Sequence, residues 1–175
     1  MKAVYNVQGI KGLTLIETSL YKDNRGENFE GFDTKSFSNL VKQDFNLTKV
    51  FKNKRFVLDT FSKSKKSVFR GLHGDNKTWK LISCLFGEIH LTVLNPKTKK
   101  IARFKLDSST RNQVLVPNDC VNGHYCLSDE CLFSYKMTER YGGIKSQYTI
   151  KWYDPKYDFS WPFDLSKAII SKRDN

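Results

Sequence analysis

Residues suited to proton transfer lie close together near the middle of the chain. Arg70 and His73 share one short apolar stretch, Asp75 follows two residues later, and Lys80 begins the next apolar stretch. The proton equilibrium of imidazole lies near neutral pH, so His73 could act as a general base. A single histidine in a strand is more often structural, and it is the neighbouring charged residues that favour the chemical interpretation.

Side-chain alternation predicts which of these residues face the same way. Successive side chains of a strand point to opposite faces of the sheet, so Gly71 and His73 should share one face, with Arg70 and Leu72 on the other. A strand also holds a side chain more firmly than a loop does. The polar, lysine-rich residues 62–67 are predicted to form the turn that leads into this strand.

The N-terminal part of the chain is predicted to contain one helix among extended segments. Residues 12–21 and 29–32 have the composition of strands. Asp33 is suited to be an N-cap, and apolar residues recur after it at helical spacing. This pattern predicts one short helix that includes Phe45.

After residue 46 the pattern changes to short extended segments separated by Gly, Pro, Asn and Asp. The predicted strands are 50–60, 68–73, 80–85, 88–95, 101–106, 113–116, 123–127, 130–136 and 147–152. Such a series is typical of a β-sandwich or a β-barrel, and the pattern alone does not choose between them. We therefore expect residues 1–175 to form a single all-β domain with an N-terminal strand extension and a short C-terminal tail.

The composition limits the class of protein. The 175 residues are 39% apolar and 14% aromatic, which suits one well-buried domain. The sequence contains neither a long apolar run nor an apolar leader, so we expect no membrane span and a cytoplasmic location. The net charge of +12 would suit nucleic acid, but the lysines are scattered among turns without an RNA-binding aromatic signature. An anionic small molecule, such as a diphosphate, is the favoured partner.

The cysteines and histidines are the candidate ligands for a transition metal. The cysteines are Cys84, Cys120, Cys126 and Cys131, and the histidines are His73, His90 and His124. The cysteines contain no C-x-x-C pair and the histidines contain no His-x-His pair. We therefore predict buried reduced thiols and no metal or redox cofactor, with a three-histidine site as the alternative.

Together with segments elsewhere in the chain, the stretch Arg70-Gly71-Leu72-His73 resembles the dTDP-4-dehydrorhamnose 3,5-epimerases, which act on nucleotide-linked 4-keto sugars. The further matching segments are Asp23-Asn24-Arg25-Gly26 with Phe29-Glu30, Lys80-Leu81, Gly87-Glu88, Pro117, Tyr135-Lys136, Trp161-Pro162 and Ser171-Lys172-Arg173-Asp174. Each segment is common by itself. Their shared order and spacing over most of the chain make the resemblance specific.

The resemblance implies both a fold and a reaction. The implied fold is a cupin-type jelly-roll β-barrel with a short N-terminal helix. The implied reaction inverts C3, C5 or both in a nucleotide-diphospho-4-keto sugar through an enolate. Such a reaction requires a base, an acid on the opposite face of the sugar and a positive charge near the keto oxygen. It requires no cofactor.

The resemblance also implies roles for individual residues. His73 matches the general base, and Asp174 matches the aspartate that hydrogen-bonds it. Tyr135 matches the acid on the far face of the sugar. Lys80 matches the lysine near the ketone oxygen, and Arg70 matches an arginine that holds the diphosphate.

Two further matches imply a particular assembly. Arg25 and Glu30 match residues that contact the nucleotide, in this family partly across the interface of a homodimer with exchanged N-terminal strands. We therefore expect a homodimer. By composition alone, the two residues belong only to a turn and an edge strand.

The chain departs from the family pattern where the site is expected. Asn122 stands at the position of a second family histidine, with His124 two residues later, and Leu91 stands in place of an aspartate. Gly74-Asp75 replaces an aromatic-glutamine pair. The variants His73-Gly74-Asp75 with Lys77-Thr78, and Asn122-Gly123-His124-Tyr125, resemble the branch that acts on GDP-4-keto-heptoses in bacterial capsule synthesis. We therefore expect Asn122, His124 and Asp75 to bind substrate, and a GDP-4-keto-heptose to be that substrate, with a dTDP-4-keto-6-deoxyhexose as the alternative.

Two other functions fit the same residues. A nucleotide-sugar 3,4-ketoisomerase also moves protons with histidine on a 4-keto substrate, and a non-catalytic cupin could bind a nucleotide sugar without reacting. Exchange of solvent deuterium into the sugar separates them. A binding module gives no exchange, and the exchanged position distinguishes the two enzymes.

Overall fold

The computed structural model describes residues 2–175 and consists mainly of β-strands. In chain order the strands are β1 (Lys2–Tyr5), β2 (Thr14–Glu17), β3 (Leu20–Asp23), β4 (Gly26–Phe29), β5 (Leu58–Lys65), β6 (Val68–Gly74), β7 (Lys80–Phe86), β8 (Glu88–Leu94), β9 (Ile101–Asp107), β10 (Gln113–Val116), β11 (Val121–Cys126), β12 (Glu130–Met137), β13 (Tyr148–Thr149) and β14 (Ile169–Ile170). The α-helices are α1 (Thr34–Val41) and α2 (Phe45–Phe51), and single 3-10 turns span Val7–Gly9, Ile144–Ser146 and Leu165–Lys167.

Two antiparallel sheets form the walls of a jelly-roll barrel, as the resemblance implied. The first sheet has the order β1-β2-β10-β7-β12-β5, and the second has the order β13-β6-β11-β8-β9. Apolar side chains from both sheets meet in one core, including Ile82 and Val114 from the first and Ile89 and Leu91 from the second. Among residues 2–175, the two strands of the β3–β4 hairpin pair only with each other.

The helical segment is divided where the sequence predicted one helix. Asp33 caps α1 as predicted, but Asp44 caps a second helix, so Phe45 begins α2 and is 83% exposed. The predicted strand 50–60 is wrong over residues 50–57, because α2 continues to Phe51 and β5 begins only at Leu58. Within residues 2–175, no helix is long and apolar enough to cross a membrane.

The predicted strands between residues 68 and 136 are confirmed to within two residues at either end. Other predictions are wrong. The predicted strand 12–21 is divided between β2 and β3, and only the first residue of the predicted strand 29–32 belongs to β4. Residues 62–65 belong to β5, so the turn before β6 is only Lys66 and Ser67, with Ser67 in the left-handed region. The predicted strand 147–152 is reduced to β13, whose two residues pair with β6, and to a reciprocal pair of backbone hydrogen bonds between Ile150 and Leu72.

An irregularity in β6 overturns the predicted side-chain alternation. His73 lies opposite Asn122 on β11 and Arg70 lies opposite His124, so three steps along β6 match two steps along β11. Such a bulge moves the following side chains to the other face of the sheet. Arg70 and His73 therefore face the same cavity, whereas Leu72 is fully buried.

The bulge depends on glycine in both strands. Gly71 has a φ of +131°, and a Cβ added to it would overlap the Cα of Gly123. A Cβ on Gly123 would lie 2.9 Å from the carbonyl oxygen of Arg70. The two backbones therefore approach each other more closely than residues with side chains permit.

The C-terminal segment folds back onto β6. β14 pairs in parallel with the start of β6, with Ile169 opposite Val68. The ring of Trp161 packs edge-on against Phe69, with 5.5 Å between ring centroids. These contacts place residues 171–174 beside the bulge.

Candidate active site

A cavity of about 690 Å³ lies between the two sheets and collects most of the predicted site residues. The predicted residues that line it are Arg70, His73, Lys80, Asn122, His124, Tyr135 and Asp174. Its size is that of sites that bind small ligands or cofactors. Seven of the ten predicted site residues therefore lie together, and their roles in catalysis and binding stay predictions.

His73 and Asp174 form a hydrogen-bonded pair on one wall. The imidazole Nε2 lies 2.6 Å from Oδ1 of Asp174, and the N–H of Gly71 donates to Oδ2 at 3.2 Å. Burial by itself would raise the pKa of Asp174, but the hydrogen bonds from His73 and Gly71 hold it below its ordinary value. The carboxylate fixes the orientation of the ring. When Nε2 carries the proton that it donates to Asp174, Nδ1 is the basic ring nitrogen.

Lys80 lies beside this pair and is almost completely buried. Its Nζ donates to Oδ1 of Asn122 at 2.7 Å and to the carbonyl oxygen of His73 at 3.3 Å. Burial lowers the pKa of Lys80 to about 8. The attraction of the Asp75 carboxylate acts in the opposite direction and is the smaller effect. At neutral pH the cavity therefore contains an ammonium group whose hydrogen-bond partners are both uncharged.

Tyr135 faces the same cavity from the other sheet. It lies on β12 in the first sheet, whereas His73 lies on β6 in the second. Burial raises the pKa of Tyr135 above its ordinary value, so the phenol stays protonated at neutral pH and can donate a proton. The imidazole and the phenol thus approach a ligand from different sides.

Two further predicted residues complete the wall around His73. The ring of His124 stacks on Phe133 with 4.0 Å between centroids, and burial lowers the pKa of His124 to about 3, so this imidazole is neutral. Within residues 2–175, Arg70 donates to the hydroxyl of Ser64 at 3.0 Å and pairs with no carboxylate. Its positive charge therefore remains available to an anionic ligand.

Three predicted site residues lie outside this cavity. Arg25, in the turn of the β3–β4 hairpin, pairs with Asp23 at 2.6 Å. Glu30 lines a separate groove of about 620 Å³ beside that hairpin. Asp75 accepts hydrogen bonds from the backbone and the hydroxyl of Thr78, and therefore stabilises the turn after β6.

Several residues that line the cavity were missed by the sequence analysis as individual site residues. Arg173 donates to Gln147 at 3.1 Å, and Tyr141 leaves half of its surface exposed where it borders the cavity. Phe133 could have been found from the sequence, because alternation places it on the same face of β12 as Tyr135. No such local signal marks Arg173 or Tyr141.

The three histidines do not converge on one point. His90 packs edge-on against Phe163, with 5.2 Å between ring centroids, whereas the other two line the cavity. In the part of the chain that the structure describes, no three His, Cys, Asp or Glu side chains are grouped closely enough to hold a metal ion. All four cysteines are free and buried, as predicted.

The sequence pattern that defines the dTDP-4-dehydrorhamnose 3,5-epimerase family matches residues 8–175. The chain belongs to this family. The dTDP-4-dehydrorhamnose 3,5-epimerase of Salmonella typhimurium is 30% identical over 171 residues, which cover 93% of this chain and 88% of that enzyme. The enzyme of the same name from Methanothermobacter thermautotrophicus is 30% identical over 175 residues, covering 94% of this chain and 88% of that enzyme. Membership confirms the prediction of an isomerase of the epimerase type.

Solved structures of the 3,5-epimerases have the same fold. A dTDP-6-deoxy-D-glucose-3,5-epimerase from Legionella pneumophila, in complex with dTDP-4-keto-L-rhamnose, has 30% identity and a TM-score of 0.80, covering 93% of this chain and 84% of that chain. The dTDP-4-dehydrorhamnose 3,5-epimerase of Elizabethkingia anophelis has 28% identity and a TM-score of 0.82, and the match covers 99% of this chain and 93% of that chain. These similarities confirm the predicted jelly-roll barrel.

Proposed function

We propose that the enzyme inverts C3, C5 or both of a nucleotide-diphospho-4-keto sugar by proton transfer between His73 and Tyr135. The observation that carries the proposal is that an imidazole with a carboxylate partner and a protonated phenol face one cavity from different sheets. A base and an acid on opposite faces of a sugar are what inversion of a carbon requires.

The reaction begins when His73 removes the proton from the carbon next to the keto group. The C–H electron pair forms the carbon-carbon double bond of an enolate, and the negative charge moves to the keto oxygen. The Lys80 ammonium stabilises that oxygen. Tyr135 then donates its proton to the same carbon from the opposite face as the keto group re-forms. Afterwards the phenolate regains a proton from water, and the His73 imidazolium releases its proton to solvent. Each step uses a group of this chain or solvent.

Cations and one aromatic ring suit the remainder of the substrate. Arg70 and Arg173 line the cavity and are proposed to bind the diphosphate, because guanidinium groups form paired hydrogen bonds with phosphate oxygens. The half-exposed ring of Tyr141 borders the cavity and could stack on a nucleobase.

For the sugar, we favour a GDP-4-keto-heptose of capsule synthesis, with a dTDP-4-keto-6-deoxyhexose as the alternative. The stretches His73-Gly74-Asp75 and Asn122-Gly123-His124-Tyr125 support the heptose, because they resemble the heptose branch of the family. The Legionella relative, whose structure contains dTDP-4-keto-L-rhamnose, supports the alternative.

The four buried free thiols are consistent with a reducing compartment and thus with a cytoplasmic location.

We also propose that two copies of the chain complete each other's sites. Arg25 and Glu30 lie outside the cavity of their own subunit, on or beside a hairpin that pairs with no other strand of the described chain. Exchange of this hairpin would bring both residues to the partner's cavity. Sedimentation should show a dimer, and a strict monomer with full activity would contradict this assembly.

Proton NMR in deuterated water, with GDP- and dTDP-linked 4-keto sugars, tests the function. Loss of the C3 or C5 proton signal together with a new epimer supports the proposal, and the preferred nucleotide identifies the substrate class. Binding without exchange would instead indicate a binding module. Migration of the keto group to C3 would indicate a 3,4-ketoisomerase.

A further inference from the structure

We propose that Asn122 is a positioning residue for Lys80, and that its uncharged side chain leaves the ammonium without an ion-pair partner so that it can stabilise the keto oxygen. The sequence suggested that Asn122 contacts substrate. The inference rests on the proposed epimerase function and names the residue that prepares its enolate-stabilising charge.

The contacts of Lys80 support this role. Lys80 begins β7 in the first sheet, and Asn122 lies on β11 in the second, so their 2.7 Å hydrogen bond joins the two sheets at the cavity wall. Both side chains are at least nine-tenths buried. An ammonium group has three N–H donors. In the described chain, two of them have protein acceptors, Asn122 and the His73 carbonyl, so the third remains for a ligand.

No carboxylate contacts the Lys80 ammonium in the described chain. Its two acceptors are neutral, and the titratable groups that act on it from the packed segments include Asp75 after β6 and Cys120 before β11, while His73 on β6 supplies a carbonyl oxygen. Asp75 is hydrogen-bonded by Thr78, and its charge attracts Lys80 without a direct ion pair among the described residues. Burial raises the pKa of the Cys120 thiol, which is therefore uncharged. A buried ammonium without a counter-ion in contact is unfavourable in the free enzyme, but it becomes favourable when an enolate forms.

The same hydrogen bonds fix the ammonium relative to the base. Asn122 lies directly opposite His73 in the β6–β11 pair, and Lys80 bonds to both residues. Movement of Lys80 would therefore have to break a contact with the strand that carries the imidazole. An aspartate at position 122 would keep this geometry and neutralise the charge, so the two contributions can be separated by substitution.

The test compares the pH dependence of deuterium exchange in the wild type, Asn122→Asp and Asn122→Leu. Asn39→Asp, on the exposed side of α1, is the matched control because it changes the net charge by the same amount away from the cavity. Activity needs protonated Lys80, so the exchange rate should fall above the pKa of that residue. This fall in rate is the alkaline limb of the pH profile. A carboxylate at position 122 favours the charged form of Lys80, so we expect the alkaline limb of Asn122→Asp to lie about one pH unit or more higher than that of the wild type. It should also lower kcat about tenfold near neutral pH, because the carboxylate competes with the enolate.

Asn122→Leu removes the acceptor without adding charge. We expect its alkaline limb to move to lower pH and its kcat to fall at least about tenfold, with KM changed by less than about threefold. Thermal unfolding and nucleotide binding report whether each variant folds. If Asn122→Asp does not fold, the position of the alkaline limb and the kcat of Asn122→Leu test the inference by themselves.

Other results would overturn the inference. An alkaline limb that stays at the wild-type position in the folded variants would show that Asn122 does not act on Lys80. A raised KM with unchanged kcat in Asn122→Leu would make Asn122 a direct substrate contact. Absence of exchange in the wild type with every nucleotide 4-keto sugar would overturn the proposed function itself, and this inference with it.

Discussion

The imidazole Nε2 of His73 lies 2.6 Å from Oδ1 of Asp174, although 101 residues separate them in the chain. β6 carries the histidine, and the segment after β14 carries the aspartate. Because β14 pairs in parallel with β6, the segment that follows β14 carries Asp174 to the imidazole. The Asp174 carboxylate is buried there and also accepts a hydrogen bond from the N–H of Gly71. A barrel strand and the C-terminal segment together build the proposed base.

Replacing His73 with asparagine should abolish proton abstraction. Asparagine can still accept and donate hydrogen bonds but has no titratable nitrogen, so we expect deuterium exchange to fall by about 10³-fold while nucleotide binding changes little. NMR in deuterated water and calorimetric titration with the nucleotide measure the two effects. His90→Asn, on the histidine that packs against Phe163, is the control and should retain exchange. Normal exchange by His73→Asn would remove His73 from the base role.

Replacing Tyr135 with phenylalanine should separate exchange from inversion. The variant keeps the base but loses the proton donor on the opposite face, so we expect exchange to continue while epimer formation falls by about 10²-fold or more. The comparison is between deuterium incorporation and product yield in one NMR experiment. Tyr153→Phe, at an exposed tyrosine, provides the control. An unaltered yield in Tyr135→Phe would argue for another acid.

Asp174 should make stability depend on pH in acid. Its folded-state pKa is below the ordinary value of 3.8, so the unfolded state binds more protons than the folded state as pH decreases. The stability that it contributes is therefore present above about pH 4 and is lost as pH falls through the folded-state pKa. Urea unfolding at pH 6 and at pH 3.5 gives the free energy of unfolding at each pH. The decrease in this free energy between pH 6 and pH 3.5 should be smaller in Asp174→Asn than in the wild type. Equal losses would show that this carboxylate is not linked to folding.

The close approach at the bulge should make Gly71 intolerant of a side chain. We expect Gly71→Ala to lower the free energy of unfolding by about 3 kcal/mol, from an unfavourable φ and a clash with Gly123. Gly26 is the matched control, since its φ is +130° but no atom lies within 4 Å of its added Cβ. Gly26→Ala should therefore lose only about 1 kcal/mol. Equal losses of unfolding free energy in Gly71→Ala and Gly26→Ala would mean that the backbone conformation, and not the close contact with Gly123, requires glycine at position 71.

The sequence predicted most features that depend on local pattern. The strands from 68 to 136 and the N-cap at Asp33 follow from alternation, turn residues and capping chemistry, and the structure confirms them. Phe45 shows the limit of this approach. Its position fits a helical repeat with the apolar residues before it, but Asp44 begins a new helix, and the phenylalanine is exposed.

Features that depend on pairing between distant segments could not be predicted locally. Strict alternation placed Arg70 and His73 on opposite faces, and the register shift against β11 brought them to the same side. The contact of Lys80 with Asn122 likewise joins two sheets and has no signature in either segment. The family resemblance identified these residues, and only the three-dimensional structure showed which of them touch.

The C-terminal segment also has a consequence for synthesis of the protein. Asp174 is translated after every strand of the two sheets, and it reaches His73 only once the segment that contains β14 has docked against β6. A nascent chain could therefore close its barrel before it acquires the proposed base. Emergence of residues 169–174 from the ribosome would then allow the imidazole and its carboxylate to meet.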